Sequence, residues 1–400
     1  MIGPDEVRAA AALLTGVADR TPVQRSRALS LLVGTDVWLK CENLQRAGSF
    51  KIRGAYTRMS RLSDAEKSRG VVAASAGNHA QGVALAAQLL GIDAVVYMPV
   101  DAALPKLAAT RGYGAHVELV GVTVDEALTH ARAHAERTGA VLIHPFDHPD
   151  VVAGQGTLAL EVVEQVPDVA TIVVPVGGGG LAAGADAALD DRPDIRVVGV
   201  QAARAAAYPA SLVQGYPVAA PELRTMADGI AIGTPGQVPF ELIAAHHTPV
   251  LTVTEEDLSR ALLLVAERAK LVVEPSGAAA VAALMAHPAT FADAGPVVAV
   301  LSGGNVDPLV LMRLIRHGLA SAGRFLHVRV QMEDTPGALA GLLRDVAALG
   351  GNVIDVVHRR TDLNLAFDEV SIEVSVETKG PDHCTSLVGR LLDAGYRLTD

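Results

Sequence analysis

The residues best placed to do chemistry lie around Lys51, in the run from Ser49 to Ala55. Residues 36–39 are predicted to end a strand and residues 53–62 to form a helix, so Ser49 would be the N-cap and Lys51 would lie in the first turn. The positive end of the helix dipole disfavours an ammonium. We therefore expect a lowered pKa for Lys51, toward the neutral amine that imine formation requires. A solvated surface lysine is the alternative that this run alone leaves open.

A second motif is a glycine-rich loop between a predicted strand at residues 172–176 and a predicted helix. The loop consists of Gly177, Gly178, Gly179 and Gly180, and the helix begins at Leu181. Glycines let backbone N–H groups converge on one anion at a helix N-terminus, which makes a phosphate site. A tight turn is the alternative, but a turn needs only one or two glycines.

A dinucleotide site is the other candidate for this loop. Its fingerprint is Gly-x-Gly-x-x-Gly with an acidic residue ending the next strand. The glycines at 177, 179 and 184 do not have this spacing, and Gln201 stands where the acid would bind ribose. The loop therefore favours one compact phosphate. An imine-forming lysine together with a separate phosphate cradle is what pyridoxal phosphate (PLP) requires.

The elements that must position these groups alternate along the chain. Short apolar runs without alternation, typical of strands buried on both faces, occur at residues 71–74, 94–98, 117–120, 172–176, 197–200 and 297–301. Helices are predicted between them, for example at 78–90 and 124–138, each closed by a glycine. This order predicts a doubly wound parallel α/β fold. Loops 75–79, 177–180 and 302–305 follow strands, so their side chains should share one site.

The pattern changes near residue 322. Residues 325–332 alternate as a half-solvated strand does, and the remaining pattern predicts the order βαββαβ. We expect a catalytic region at 1–322, with a small lobe at about 41–140 inserted in the large lobe. A separate domain is expected at 325–400, after a linker at 320–323.

Composition narrows the function class. The chain has 400 residues, 50% hydrophobic and 19% charged, with a net charge of −11. No basic block is present, so neither nucleic acid nor an anionic membrane is expected as partner. No apolar stretch reaches the length of a membrane span, and the first residues lack a basic signal start, which predicts a cytoplasmic location. Cys41 and Cys384 are expected to be reduced, with no metal site built on them.

Four motifs together resemble one known group. The stretches 40–55, 75–82, 177–180 and 302–305 are similar to those of the threonine dehydratase and serine racemase group of fold type II PLP enzymes. The resemblance covers residues 5–320 and implies two lobes of doubly wound parallel sheet. The C-terminal segment resembles an ACT domain, a βαββαβ fold often used to bind amino-acid effectors.

The resemblance implies roles for particular residues. Lys51 is expected to be the Schiff-base lysine and the base that takes the Cα proton of the substrate. The expected cofactor-binding residues are Lys51, Phe50, Asn78, Gly177, Gly178, Gly179, Gly180, Leu181 and Ser302. The expected substrate-binding residues are Ser75, Ala76, Gly77, Asn78 and His79.

Ser302 and Ala76 favour one reaction within the group. A serine hydroxyl facing the pyridine nitrogen donates a hydrogen bond but does not hold a proton there, which suits loss of a β-leaving group. Racemases of the group carry a serine in the position of Ala76, and alanine has no proton to give. The expected activity is conversion of L-threonine to 2-oxobutanoate and ammonia, and of L-serine to pyruvate. Serine racemase-like and β-hydroxyaspartate ammonia-lyase activities are the alternatives.

The metal and regulatory expectations also follow from the resemblance. Racemase relatives bind a divalent metal after the strand that here ends near Gln201, but Gln201, Ala205 and Ala207 are poor ligands, so no metal site is expected there. A monovalent ion held by backbone carbonyls is the alternative that the sequence leaves open. An effector site is expected at Asp334, Gly337 and Asn352, although Asp334 and Gly337 could simply shape a turn. ACT modules pair, which implies a homodimer or homotetramer. A weakly catalytic amino-acid sensor is the alternative of another class.

Overall fold

The computed structural model describes residues 2–292, 295–361 and 365–399. Met1–Leu311 and Met312–Asp400 form two compact units. The division falls inside helix Pro308–Ser321, whereas the sequence placed a linker at 320–323. Among the described residues no helix is both long enough and apolar enough to span a bilayer.

The strands of the described residues are β1 Val23–Arg25, β2 Val37–Lys40, β3 Val71–Ala74, β4 Ala94–Met98, β5 His116–Leu119, β6 Val141–Leu142, β7 Thr171–Pro175, β8 Arg196–Ala202, β9 Val250–Val253, β10 Val297–Val300, β11 Phe325–Glu333, β12 Asn352–Arg359, β13 Glu369–Glu377 and β14 Arg397–Thr399. The α-helices are α1 Pro4–Leu13, α2 Arg27–Val33, α3 Lys51–Ser60, α4 Asp64–Arg69, α5 Asn78–Leu90, α6 Leu104–Gly112, α7 Val124–Thr138, α8 Pro149–Gln165, α9 Gly180–Ala188, α10 Tyr208–Gln214, α11 Gln237–Ala245, α12 Glu255–Leu264, α13 Pro275–Ala286, α14 Pro308–Ser321, α15 Ala338–Ala348 and α16 Pro381–Asp393.

Two sheets build the first unit. A six-stranded sheet has the order β1-β2-β10-β7-β8-β9, and a four-stranded sheet has the order β5-β4-β3-β6. All neighbours are parallel except the pair of β1 with β2. The predicted α/β class is thus confirmed. The antiparallel edge strand β1 was not predicted, because three residues with one inward side chain carry too short a pattern to recognise.

Burial explains why these strands lack alternation. β3, β7 and β10 are buried along their whole length, since helices cover both faces. Separate apolar clusters lie around each sheet, one containing Ile172 and Val174 and another containing Val71 and Val96. The predicted helices 78–90 and 124–138 match α5 and α7 at both ends. Their glycine C-caps, Gly91 and Gly139, are left-handed as expected.

The second unit has the predicted order of elements. Its sheet, β12-β13-β11-β14, is antiparallel throughout. Val330, Ile372 and Val374 on the sheet are buried against Leu342 of α15 and Leu387 of α16. The alternation at 325–332 therefore reflects one face packed on helices and the other open to solvent.

Candidate active site

Lys51 is the first residue of α3, and its amine is partly buried. The Nζ atom donates a hydrogen bond of 3.0 Å to the carbonyl of Pro145 and lies 5.1 Å from the centre of the Phe50 ring. Burial lowers the pKa of Lys51 to about 8, against the opposing charge of Glu274. The lowered pKa agrees with the sequence argument, but loss of hydration is its main cause rather than the helix dipole.

Ser49 is not the N-cap of α3, and that prediction was wrong. The N-cap is Phe50, while Ser49 is extended with φ −164° and ψ 163°. The Ser49 backbone forms a β-bridge with Gly303, and the Phe50 N–H donates to the carbonyl of Ser302 over 3.2 Å. The Ser49 hydroxyl is buried and has no hydrogen-bond partner among the described residues. A buried unpartnered hydroxyl next to Lys51 is available for a ligand.

Ser302 follows β10 and is buried. Its carbonyl is the acceptor for Phe50, so the loop after β10 is bonded to the backbone just before Lys51. The structure therefore brings together two of the predicted motifs that lie some 250 positions apart in the sequence.

The glycine loop connects β7 to α9. Gly179 is the N-cap of α9 with φ +101°. A Cβ there would lie 1.8 Å from the Tyr208 hydroxyl, and a Cβ on Gly178 would lie 2.4 Å from the Phe146 ring. The backbone N–H groups from Gly177 to Leu181 donate to no acceptor among the described residues. A cradle of unpaired N–H groups at a helix N-terminus fits a phosphate, as PLP requires.

Phe146 and Tyr208 were not predicted from the sequence. The Tyr208 hydroxyl donates to the carbonyl of Gly178 over 3.2 Å. Phe146 packs on Gly178 and follows Pro145, the acceptor for Lys51, so this segment connects the lysine to the glycine loop. Pro145 and Phe146 come shortly after β6, and their place at the carboxyl end of a parallel strand is the signal that could have found them.

The N-terminus of α5 forms the other side of the site. Ser75 follows β3, and its hydroxyl accepts a hydrogen bond of 3.1 Å from the N–H of Gly77, the N-cap of α5. Ala76 lies between them and carries no polar group. The N–H groups of Asn78 and His79 donate to no described acceptor. Gly82 in α5 lies against Lys51, since a Cβ there would be 3.2 Å from the Lys51 Cβ.

The His79 imidazole has a different place from the one expected for a substrate-binding side chain. It is buried, its Nε2 lies 2.8 Å from the carbonyl of Ile143, and burial lowers its pKa to about 3. A neutral ring already bonded to the backbone offers no charge to a carboxylate. Any contact of His79 with substrate would therefore come from its backbone N–H.

Asn78 belongs to a hydrogen-bonded group that the sequence only partly indicated. Its Nδ2 donates to Glu274 over 2.5 Å, and Asn305 donates to its Oδ1 over 2.8 Å. Burial and the nearby Asp228 raise the pKa of Glu274 to about 7. Asn305 closes the predicted loop 302–305, so the spacing of that loop was its signal. Glu274 is the N-cap residue of α13.

The predicted effector residues lie in the second unit. Asp334 accepts from Arg360 at 3.3 Å, Gly337 is the N-cap of α15 with φ +93°, and the Asn352 side chain donates to Glu377 over 3.1 Å. None of the three lines the groove of about 240 Å³ in this unit. That groove is formed by Arg316, Phe325, His327, Asp355, Val357, Glu373 and Ser375.

Comparisons with known proteins agree with this geometry. Residues 14–303 match the family model described as pyridoxal-phosphate dependent enzyme. The chain is 43% identical to the L-threonine ammonia-lyase of Thermotoga maritima, over 100% of this chain and 99% of that protein. The structure of threonine deaminase isoform 2 from Solanum lycopersicum is similar with a TM-score of 0.74 at 36% identity, covering 79% of this chain and 95% of that one. Maize serine racemase is similar with a TM-score of 0.75 at 35% identity, covering 80% of this chain and 98% of that one.

Proposed function

Since this chain belongs to the pyridoxal-phosphate dependent enzymes, as a PLP-binding lyase of the threonine ammonia-lyase group, we propose that it deaminates L-threonine to 2-oxobutanoate and ammonia, and L-serine to pyruvate. One observation carries the proposal. The backbone just before Lys51 is hydrogen-bonded to Ser302. The Lys51 amine is hydrogen-bonded to Pro145, and the next residue, Phe146, packs on the glycine loop. These contacts support a single cofactor site formed by the Lys51 amine, the Ser302 loop and the glycine loop.

The chain's own residues divide the work of binding. The unpaired N–H groups of Gly177 to Leu181 and the Ser49 hydroxyl would hold the cofactor phosphate. The N–H groups at the start of α5, with Ser75, hold the substrate carboxylate. Bound PLP supplies the imine and the electron-withdrawing ring that acidify the Cα–H bond of the substrate.

Lys51 moves the proton in this proposal. As a neutral amine it takes the proton from Cα. The Lys51 ammonium then returns that proton to the departing Cβ hydroxyl, which leaves as water, and the amine is neutral again. The enamine that leaves the enzyme takes up one water and releases ammonia, so the water lost in the elimination is regained. Threonine is thereby converted to 2-oxobutanoate and ammonia with no oxidant or reductant.

Ser302 and Ala76 select this reaction over its relatives. A neutral hydroxyl at Ser302 would give the pyridine nitrogen of bound PLP a hydrogen bond without a full proton, which would favour direct loss of the β-substituent. Racemisation is the second candidate, since maize serine racemase is among the similar structures. It needs an acid on the opposite face of Cα, and Ala76 in the α5 turn has none.

We also propose that the second unit is an ACT-like regulatory domain. Its βαββαβ order and antiparallel sheet support this, with an amino-acid effector near Asp334, Gly337 and Asn352. The proposed assembly is a homodimer or homotetramer, and the proposed location is the cytoplasm.

The experiment is to purify the protein with PLP, record its visible absorbance and incubate it with L-threonine. We expect a visible band, and 2-oxobutanoate and ammonia in equal amounts, from the wild type but not from Lys51→Ala. A band with D-threonine or D-serine as the main product would point to racemisation. Absence of any band would contradict the roles assigned to Lys51 and the glycine loop.

A further inference from the structure

An ion pair joins the segments of the two sheets in the first unit. Lys106 lies on α6, which follows β4 of the four-stranded sheet, and Asp228 begins the short helical turn Asp228–Ile230 between β8 and β9 of the six-stranded sheet. Their Nζ and Oδ2 atoms are 2.7 Å apart. The Lys106 side chain is 14% exposed and that of Asp228 is 61% exposed, so the lysine is mostly buried and the aspartate lies at the surface.

Both partners border the candidate active site. The Nζ of Lys106 lies 3.4 Å from where a Cβ would stand on Gly77, so the lysine lies over the turn before α5. On the other side, the Ile230 Cα lies 3.2 Å from the corresponding position on Gly177. The ion pair therefore links the turn that offers N–H groups to a carboxylate with the loop that offers N–H groups to a phosphate.

The charge of Lys106 is maintained by its surroundings. Burial acts to lower its pKa, but the carboxylates of Asp228, Glu274 and Asp307 outweigh this effect and raise it. Lys106 is thus a permanent cation beside the α5 turn.

We propose that the Lys106–Asp228 ion pair is a clasp that holds α6 and the α5 turn closed over the bound amino acid. The proposal rests on the proposed function, because it takes the α5 turn as the carboxylate site. Lys106 and Asp228 are positioning residues in it, since they retain the substrate and take no part in proton transfer. Breaking the clasp should raise KM and leave kcat nearly unchanged.

Charge exchange tests the clasp in the holoenzyme. Lys106→Asp and Asp228→Lys each place like charges together, and we expect about a tenfold rise in KM for each, with kcat within about twofold of wild type. The double exchange should recover most of the loss, and the KM of wild type should rise with salt. Exchanging Arg20 and Glu164, an exposed pair 3.0 Å apart, is the matched control and should leave KM unchanged.

A second measurement does not depend on turnover. The measurement is amide hydrogen exchange of α6 in the substrate-free holoprotein. Exchange should be faster in Lys106→Gln and in Asp228→Asn, which remove the ion pair without adding repulsion. It should be slow again in the double charge exchange. Unchanged KM and unchanged exchange in the single variants would overturn the clasp, as would a double exchange no better than either single variant. Should wild type fail to act on threonine or serine, the proposed function falls, while the exchange rates still decide whether the clasp exists.

Discussion

The chemistry of Lys51 depends on where its amine lies rather than on its position in the helix. The Nζ atom is partly shielded from water beside the Phe50 ring, and among the described residues its acceptor is the neutral carbonyl of Pro145. A neutral acceptor does not offset the cost of burying an ammonium, so the amine is neutral at lower pH than in water.

This gives a pH prediction for the apoprotein. Covalent uptake of PLP by Lys51 requires the neutral amine, so its rate should rise as pH increases, with a midpoint at about 8, and level off above it. The measurement is stopped-flow absorbance of PLP binding from pH 6 to 10, with Lys51→Ala as the control. A midpoint above pH 10, as for a solvated lysine, would show that the amine is not buried in solution.

The contribution of the glycine loop to PLP affinity can be tested at Gly179. Gly179→Ala would force a Cβ to within 1.8 Å of the Tyr208 hydroxyl as well as straining φ +101°, so we expect at least a tenfold loss of PLP affinity. Fluorescence titration with PLP measures this.

Gly34→Ala is the matched control for that variant. Gly34 also has a positive φ, +87°, but no other described residue comes within 4 Å of its Cβ position. It should lower the melting temperature slightly and leave PLP affinity intact. Equal losses of PLP affinity in the two variants would mean that strain at a positive-φ glycine, and not the clash with Tyr208, causes the loss.

At the scale of elements, α3 is fixed by buried charges. Arg53 is 1% exposed and bonds both Glu42, which is fully buried after β2, and Glu161 on α8. Lys40 on β2 also bonds Glu161, at 2.5 Å. This network joins β2, α3 and α8. Because Arg53 lies two residues after Lys51, the network holds the start of α3 in place.

Removing Arg53 should therefore be costly. Arg53→Ala leaves the Glu42 carboxylate buried without its ion-pair partner, and we expect a loss of about 3 kcal/mol in unfolding free energy together with reduced PLP occupancy. Chemical denaturation of the holoprotein measures the first and visible absorbance the second.

Arg58→Ala is the control on the same helix. Its partner Asp150 keeps Arg61, and all three side chains are partly exposed, so the loss should stay below about 1 kcal/mol. A similar loss in both variants would contradict a special role for the buried network.

At the scale of the whole molecule, the chain consists of a catalytic unit and a smaller antiparallel unit. If the second unit senses an amino acid, a branched-chain amino acid such as isoleucine should change the KM for threonine by about fivefold or more, the usual range of allosteric coupling. Asn352→Ala, which breaks the side-chain bond to Glu377, should remove this response and keep activity without effector.

The measurement is threonine saturation with and without each candidate amino acid. Gln331→Ala, on the strand β11 of the same sheet, is the control and should retain the response. A response retained by Asn352→Ala would place the effector elsewhere, and the groove lined by Arg316 and Asp355 is then the next place to test.

The sequence alone determined the parts of this protein that depend on local pattern. Uninterrupted apolar runs identified β3 and β4 residue by residue, and glycine C-caps identified α5 and α7, because backbone conformation there follows from residue type and period. The glycine loop and the motif around Lys51 were recognisable for the same reason. Their family is confirmed by the comparisons.

Only the tertiary structure decided what each side chain meets. Ser49 was predicted to be the N-cap of a helix, yet its backbone forms a β-bridge with Gly303 and its hydroxyl has no described hydrogen-bond partner. His79 was predicted to bind the substrate, yet its side chain is neutral and hydrogen-bonded to the carbonyl of Ile143. Tyr208 and Lys106 gave no local signal. Their partners come from distant segments, and burial, which sets the pKa of each group, exists only once those segments have packed.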